Sequence, residues 1–190
     1  WLWPQRFARG KTNIIAGQPG QGKSQLTLFM AAVVSSGGLW PDEAACSTGN
    51  VVIISCEDDA ADTIAPRLDA AGADRKRVHI LDWVADTAPD GAPEPRTFDI
   101  RRDIDALRDL IQKVGEVQLV IVDPISAYMG GTDSHKASDV RASLAPMQTL
   151  AAENGVCVVL VSHLNKGSTD TTAMSRVSGS GAFVAAARSA

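Results

Sequence analysis

This sequence has few cysteines, no excess of positive charge and no hydrophobic run long enough to span a bilayer. Its three cysteines, Cys46, Cys56 and Cys157, have no C-x-x-C spacing, which argues against a disulfide framework or a zinc site. Because Cys56 and Cys157 fall in apolar runs, we expect buried thiols in a protein of the reducing cytoplasm. No stretch approaches the ~20 apolar residues that span a bilayer, so we expect no membrane association.

The charge balance is acidic. Lysine and arginine number 18 against 22 aspartates and glutamates, for a net charge of −4. This excludes a surface that binds nucleic acid throughout, while a local basic channel stays compatible with it. With 45% hydrophobic residues, residues 1–190 suit a single domain with one sizeable core. The chain begins with Trp1 rather than Met and ends shortly after Arg188, so we expect a fragment of a longer chain.

Residues 17–24 form a complete phosphate-binding motif of the type G-x-x-x-x-G-K-[ST]. An apolar run precedes it and a helical pattern follows, which is the strand–loop–helix setting that the motif requires. The glycines let backbone N–H groups turn inward around a triphosphate, and the helix N-terminus adds partial positive charge. We expect Lys23 to reach the β- and γ-phosphates and the Ser24 hydroxyl to bind Mg²⁺. The predicted nucleotide-binding residues are Gly17, Gln18, Pro19, Gly20, Gln21, Gly22, Lys23, Ser24 and Gln25.

Four short, β-branched apolar runs are typical of parallel strands covered on both faces. They span residues 12–16, 51–56, 117–123 and 156–162. Helical patterns cover 24–35, 60–71, 99–114 and 137–153, and loops are predicted at 84–97, 129–136 and 165–180. Pro146 predicts either a kink in the last helix or a junction of two helices. Strands that alternate with helices predict an α/β domain with a doubly wound, mainly parallel sheet and helices on both faces.

Asp123 ends the apolar run 119–122, as in a Walker B strand that delivers an aspartate to Mg²⁺. The next residue is Pro124, where many ATPases carry a water-activating glutamate. Glu57, directly after the predicted strand 51–56, is the best substitute as general base or water-positioning group. Asp58 and Asp59 compete for that role, or else cap the helix that follows.

His163 follows another apolar run, 158–161, at the predicted carboxyl edge of the sheet. A polar side chain there can contact the γ-phosphate and report its loss to the next loop. A histidine that only hydrogen-bonds at the end of its strand is the alternative.

The order of these motifs resembles that of RecA-like P-loop ATPases. Within them it looks closest to AAA-family ATPases of the hexameric RepA helicase type, with DnaB and KaiC more distant. The stretch 66–73 fits the same branch. The motifs that carry the resemblance are Gln18-Pro19-Gly20-Gln21-Gly22-Lys23-Ser24, Ile54-Ser55-Cys56-Glu57-Asp58-Asp59, Val122-Asp123-Pro124 and Val161-Ser162-His163.

This resemblance implies ATP and Mg²⁺ as ligands and a particular order of strands. The strand before His163 is expected between the phosphate-loop strand and the Asp123 strand, with the Glu57 strand outside the latter. It supports Glu57 as the catalytic carboxylate and His163 as the γ-phosphate sensor. It also implies a homo-oligomeric ring, a hexamer as in RepA helicases, in which Arg188 would reach the neighbour's nucleotide as an arginine finger. Arg176 competes with Arg188 for this role.

The resemblance further implies single-stranded DNA contacts through loops 129–138 and 165–178. The cationic side chains there are His135, Lys136, Lys166 and Arg176. Neither loop has an aromatic residue for base stacking, which weakens this expectation.

The expected function is ATP hydrolysis by a hexameric motor that moves on DNA in replication. A non-motor ATPase of regulatory or recombination type is the alternative. A vestigial binding module is disfavoured by the intact Lys23, Ser24, Glu57 and Asp123. A small-molecule kinase would want an arginine-rich lid, and 84–97 holds only Arg96. Trp1 and Trp3 are compatible with packing on a neighbour or on the base.

Overall fold

Five parallel strands form the central sheet. The structure, a computed structural model, describes residues 1–87, 92–132 and 136–163. The strands are β1 (Lys11–Gly17), β2 (Asn50–Ser55), β3 (Val78–Leu81), β6 (Val117–Asp123) and β7 (Cys157–His163). Their order across the sheet is β1–β7–β6–β2–β3, which confirms the order that the resemblance implied. Two further strands, β4 (Val84–Thr87) and β5 (Pro93–Arg96), form an antiparallel hairpin.

Helices cover both faces of this sheet. They are α1 (Lys23–Ser36), α2 (Ala65–Ala70), α3 (Ile104–Val114) and α4 (Ala137–Asn154), and a π-helical turn, Ala60–Ile64, leads into α2. On one face, α1 and α2 bury their apolar residues against alternate strand residues such as Ile53 and Ile121. On the other face, α3 and α4 pack on Val52 and Val120. The predicted doubly wound α/β fold is confirmed, and neighbouring residues of each strand point into opposite cores.

Three local features differ from the predictions. The region predicted as a loop at 84–97 contains the paired strands β4 and β5. The prolines at 93 and 95 are tolerated in β5 because both strands of a two-stranded hairpin are edge strands. β3 is a short edge strand that was not predicted, because only four partly buried residues, one of them a histidine, form it. Finally, α4 is one helix that includes Pro146, so the predicted alternative of two helices that meet at this residue is wrong. Burial of Val140 and Leu150 on either side offsets the cost of about 3 kcal/mol for an interior proline.

The N-terminal segment packs on the end of α1. Trp3 stacks on Trp40 with 4.7 Å between ring centroids, and its indole N–H donates to Asp42 over 3.0 Å. The Trp40 indole donates in turn to the Leu2 carbonyl over 3.1 Å. Trp3 is therefore a core residue of its own chain, whereas Trp1 is 62% exposed.

An ion pair joins the hairpin to the start of α3. Arg96 donates to both carboxylate oxygens of Asp103, each over 2.6 Å. Asp103 is buried and also accepts from the Asp99 backbone N–H over 2.8 Å. The guanidinium of Arg96, by its hydrogen bonds, holds the pKa of Asp103 below its usual range.

We expect Asp103→Asn to lower the urea midpoint of unfolding at pH 7. Because the folded pKa of Asp103 lies below its unfolded value of about 4, its contribution is complete above that pH and is lost as pH falls through the folded pKa. The difference in midpoint between wild type and variant is therefore expected to shrink on acidification from pH 6 to pH 2.5. Asp109→Asn, an exposed site on the same helix, is the control. A difference that does not change over this pH range would contradict the prediction.

Among the described residues, no helix combines the length and the hydropathy needed to cross a bilayer.

Candidate functional site

A cleft of about 420 Å³ lies at one edge of the sheet, where the loops after β1 and β2 meet the end of β7. Gly17 pairs with His163 and Ser55 with Asp123, so β1 ends level with β7 and β2 ends level with β6. Val122 pairs with Leu160, so β7 runs two residues beyond the end of β6. The cleft is lined by Pro19, Gly20, Gly22, Lys23, Ser24, Gln25, Glu57, Asp58, Arg67 and His163. Its size is within the range of small-ligand sites.

The conformation of the phosphate loop is set by its own residues. Gly20 and Gly22 have φ of 77° and 76°, a left-handed conformation that favours glycine. The Gln18 N–H donates to the side-chain oxygen of Gln21 over 2.7 Å, and Lys23 Nζ donates to the Gln18 carbonyl over 2.9 Å. Gln18 and Gln21 thus shape the loop, and Gly17 ends β1 before it. The Lys23 side chain is mostly buried beside the cleft, and α1 begins at this residue.

Asp123, the last residue of β6, lies beside Ser24. Burial raises the pKa of Asp123, and the nearby Glu57 and Asp58 act in the same direction, while a hydrogen bond from Ser24 and the charge of Lys23 oppose them. A carboxylate and a hydroxyl are oxygen ligands of the kind that Mg²⁺ takes. Within the described part of the chain, no cluster of three His, Cys, Asp or Glu side chains is suited to hold a metal alone. A cation here would therefore need further oxygens from a bound nucleotide, which fits Mg²⁺ carried by phosphates.

Glu57 and His163 come together across the end of β6. Glu57 follows β2 and His163 ends β7, and β6 lies between these two strands. His163 Nε2 is 3.6 Å from Glu57 Oε1. The other ring nitrogen, Nδ1, is buried and has no hydrogen-bond partner among the described residues. The predicted catalytic carboxylate and the predicted γ-phosphate sensor thus share one wall of the cleft.

The two aspartates after Glu57 have different positions. Asp59 accepts hydrogen bonds from the N–H groups of Ala61 and Asp62, both over 2.8 Å, and caps the turn that leads into α2. Asp58 lines the cleft and pairs with Arg67, whose Nη1 is 2.8 Å from Asp58 Oδ2. Of the two competing carboxylates, only Asp58 remains an alternative to Glu57.

Arg67 is the cleft residue that we did not predict from the sequence as part of the site. The π-helical turn and α2 bring it back to the cleft ten positions after Glu57. The prediction for Cys56 was wrong, because β2 ends at Ser55 and Cys56 is exposed, whereas Cys46 and Cys157 are buried.

Several predicted residues lie outside the described ranges. They are Arg188, Arg176, Lys166, His135 and the whole of loop 165–178. Of loop 129–138, the structure describes 129–132 and 136–138, where Lys136 is exposed.

The comparisons with known proteins agree with this geometry. A family model described as an AAA domain matches residues 1–169. The match supports a P-loop ATPase-like domain that binds nucleotide, on the fold described above. No curated protein matched the sequence.

Proposed function

Because the chain belongs to the AAA domain family, we propose that it is a Mg²⁺-dependent ATPase whose cleft binds and hydrolyses ATP. The observation that carries this proposal is that Glu57, in the loop after β2, and His163, at the end of β7, line the same cleft as Lys23 and Ser24. A phosphate loop alone would explain binding. A carboxylate and a histidine at its mouth, with Nε2 and Oε1 3.6 Å apart, supply the groups needed for hydrolysis.

Binding begins with the phosphate loop. The first N–H groups of α1 are unpaired within the helix and point toward the loop, so they can donate to phosphate oxygens. Lys23 Nζ, now bonded to the Gln18 carbonyl, supplies a full positive charge at the same place. Ser24 and Asp123 would hold the metal, and the chemistry that Mg²⁺ supplies when bound is to offset charge on the phosphate oxygens.

Hydrolysis needs a water molecule aligned with the terminal phosphorus. Glu57 would accept a proton from this water molecule while the water oxygen forms a bond to the γ-phosphorus. The bond between the γ-phosphorus and the bridging oxygen breaks in the same step, and ADP is the leaving group. His163 would contact the γ-phosphate through the ring that also faces Glu57. When the phosphate leaves, His163 would lose this contact at the end of β7, directly before the predicted DNA-contacting loop 165–178.

The finer assignment is a hexameric, RecA-like helicase or replication ATPase. It is supported by the resemblance of the motif order and by a sheet in which β7 lies between β1 and β6. In this assignment Arg188 acts on the nucleotide of the next subunit, with Arg176 as its competitor. Loops 129–138 and 165–178 contact single-stranded DNA in the channel of the ring.

We expect single-stranded DNA to stimulate steady-state ATP hydrolysis by the full chain at low salt. The stimulation is expected to fade as salt rises, because cations on the loops would displace counterions from DNA phosphates. The measurement is phosphate release with and without DNA over a salt series, with Lys23→Ala as control for the source of the phosphate. Hydrolysis that does not respond to DNA would contradict the motor and favour the regulatory or recombination ATPase.

A further inference from the structure

Arg67 adds a second permanent cation to the cleft. Its side chain lines the same cleft as Lys23, Glu57 and His163. Its Nη1 donates to Asp58 Oδ2 over 2.8 Å. Asp58 in turn follows Glu57 directly, so Arg67 is placed at the Glu57 end of the cleft.

The pair between Arg67 and Asp58 is suited to exchange. The two side chains are 42% and 29% exposed, and ion pairs this exposed add little to stability. A guanidinium carries five N–H donors in a planar fork that matches phosphate oxygens. A phosphate oxygen that reaches the cleft can therefore replace the carboxylate at little cost.

The balance of charges in the cleft also favours a contact between Arg67 and phosphate. The cleft is lined by two cationic side chains, Lys23 and Arg67, and by two carboxylates, Glu57 and Asp58. A third carboxyl group, that of Asp123, is close to them. Acidic groups thus outnumber permanent cations, so a polyanionic ligand needs both cations. Asp58 holds Arg67 beside the cleft until the ligand arrives.

We propose that Arg67 binds the terminal phosphate of ATP within its own subunit, exchanging its bond with Asp58 for a bond with a γ-phosphate oxygen. This rests on the proposed ATPase function. The terminal phosphate is the one concerned because Arg67 lines the same cleft as Glu57 and His163, the residues assigned to that phosphate, and is paired with the neighbour of Glu57, Asp58. ADP lacks the group, so Arg67 distinguishes ATP from ADP.

The test is a comparison of two dissociation constants by calorimetry on the full chain. The ligands are ADP and the non-hydrolysable β,γ-imido analogue of ATP, each with excess Mg²⁺. We expect Arg67→Ala to weaken binding of the analogue about 10- to 100-fold, the loss of one charge-assisted contact, and to change ADP binding less than about twofold. Arg67→Lys, which keeps the charge without the fork, is expected to fall between wild type and Arg67→Ala.

Two further variants separate phosphate binding from a structural role. Arg75→Ala breaks a comparably exposed ion pair, with Asp69, and is expected to leave both constants unchanged. Asp58→Asn frees Arg67 and is expected to keep the preference for the analogue over ADP at or above the wild-type level.

Three results would overturn the proposal. In the first, Asp58→Asn loses the preference for the ATP analogue over ADP, as Arg67→Ala does. Arg67 would then act only by holding Asp58 in place, and not by binding phosphate. In the second, wild type binds both ligands, but Arg67→Ala weakens the binding of both equally or of neither. The ATPase proposal would then stand without a role for Arg67 at the terminal phosphate. In the third, wild type binds neither ligand, and both proposals fail together.

Discussion

Lys23→Ala is expected to lower ATP hydrolysis on the order of 10³-fold, the scale of losing one preorganised group that stabilises transferring charge. Lys23 is 8% exposed, and its ammonium group is held at the loop by the Gln18 carbonyl over 2.9 Å. It is therefore placed at the phosphate site before the nucleotide arrives. Alanine removes both the charge and the contact, and the acidic groups nearby are then left to repel the phosphates.

This prediction is checked by steady-state phosphate release and by nucleotide binding under the same conditions. We expect both to be lost, since the lysine contacts phosphates in the ground state and in the transition state. Lys76→Ala is the matched control, because Lys76 is exposed and lies just before β3, at the opposite edge of the sheet. Wild-type turnover in Lys23→Ala would mean that the hydrolysis does not take place at the phosphate loop.

Glu57→Gln is expected to lower kcat about 10²- to 10⁴-fold, the range for loss of a general base. Glutamine keeps the shape of the side chain but cannot accept the proton of the attacking water. Nucleotide binding is expected to be retained, because the phosphate loop, Ser24 and Asp123 are untouched. Removing a negative charge from an already acidic cleft also favours a polyanionic ligand.

The measurement is kcat from steady-state hydrolysis together with the dissociation constant of the nucleotide. Asp62→Asn, an exposed carboxylate on the π-helical turn, removes the same charge outside the cleft and is expected to behave as wild type. Turnover that survives Glu57→Gln but is lost in Asp58→Asn would assign the base to Asp58 instead.

The parts of the site that were predictable depend on neighbours in the sequence. The phosphate loop is specified by consecutive residues, since Gly20 and Gly22 set its torsions and Lys23 opens the helix behind it. Four of the five strands of the central sheet were recognised from short β-branched runs within one or two residues of their observed ends. The cap formed by Asp59 is equally local, with both of its partners within three positions.

The errors come from features that depend on pairing and packing between distant parts of the chain. β4 and β5 carry prolines and charges, and the pairing that makes them strands is visible only once they lie side by side. Cys56 was predicted as buried because it extends an apolar run, yet the sheet ends one residue earlier. Pro146 predicted a kink or a junction of two helices, and α4 is a single helix that includes this residue.

By itself, the sequence determined that this protein has a phosphate-binding loop, an α/β fold and polar residues at the ends of its strands. Only the tertiary structure decided that Glu57 and His163, 106 positions apart in the sequence, meet across β6, and that Arg67 turns back into the same cleft. The reason is physical. Torsional preferences and hydrophobic periodicity act between near neighbours, whereas the distance between two strand ends depends on strand order, which the burial of both sheet faces selects.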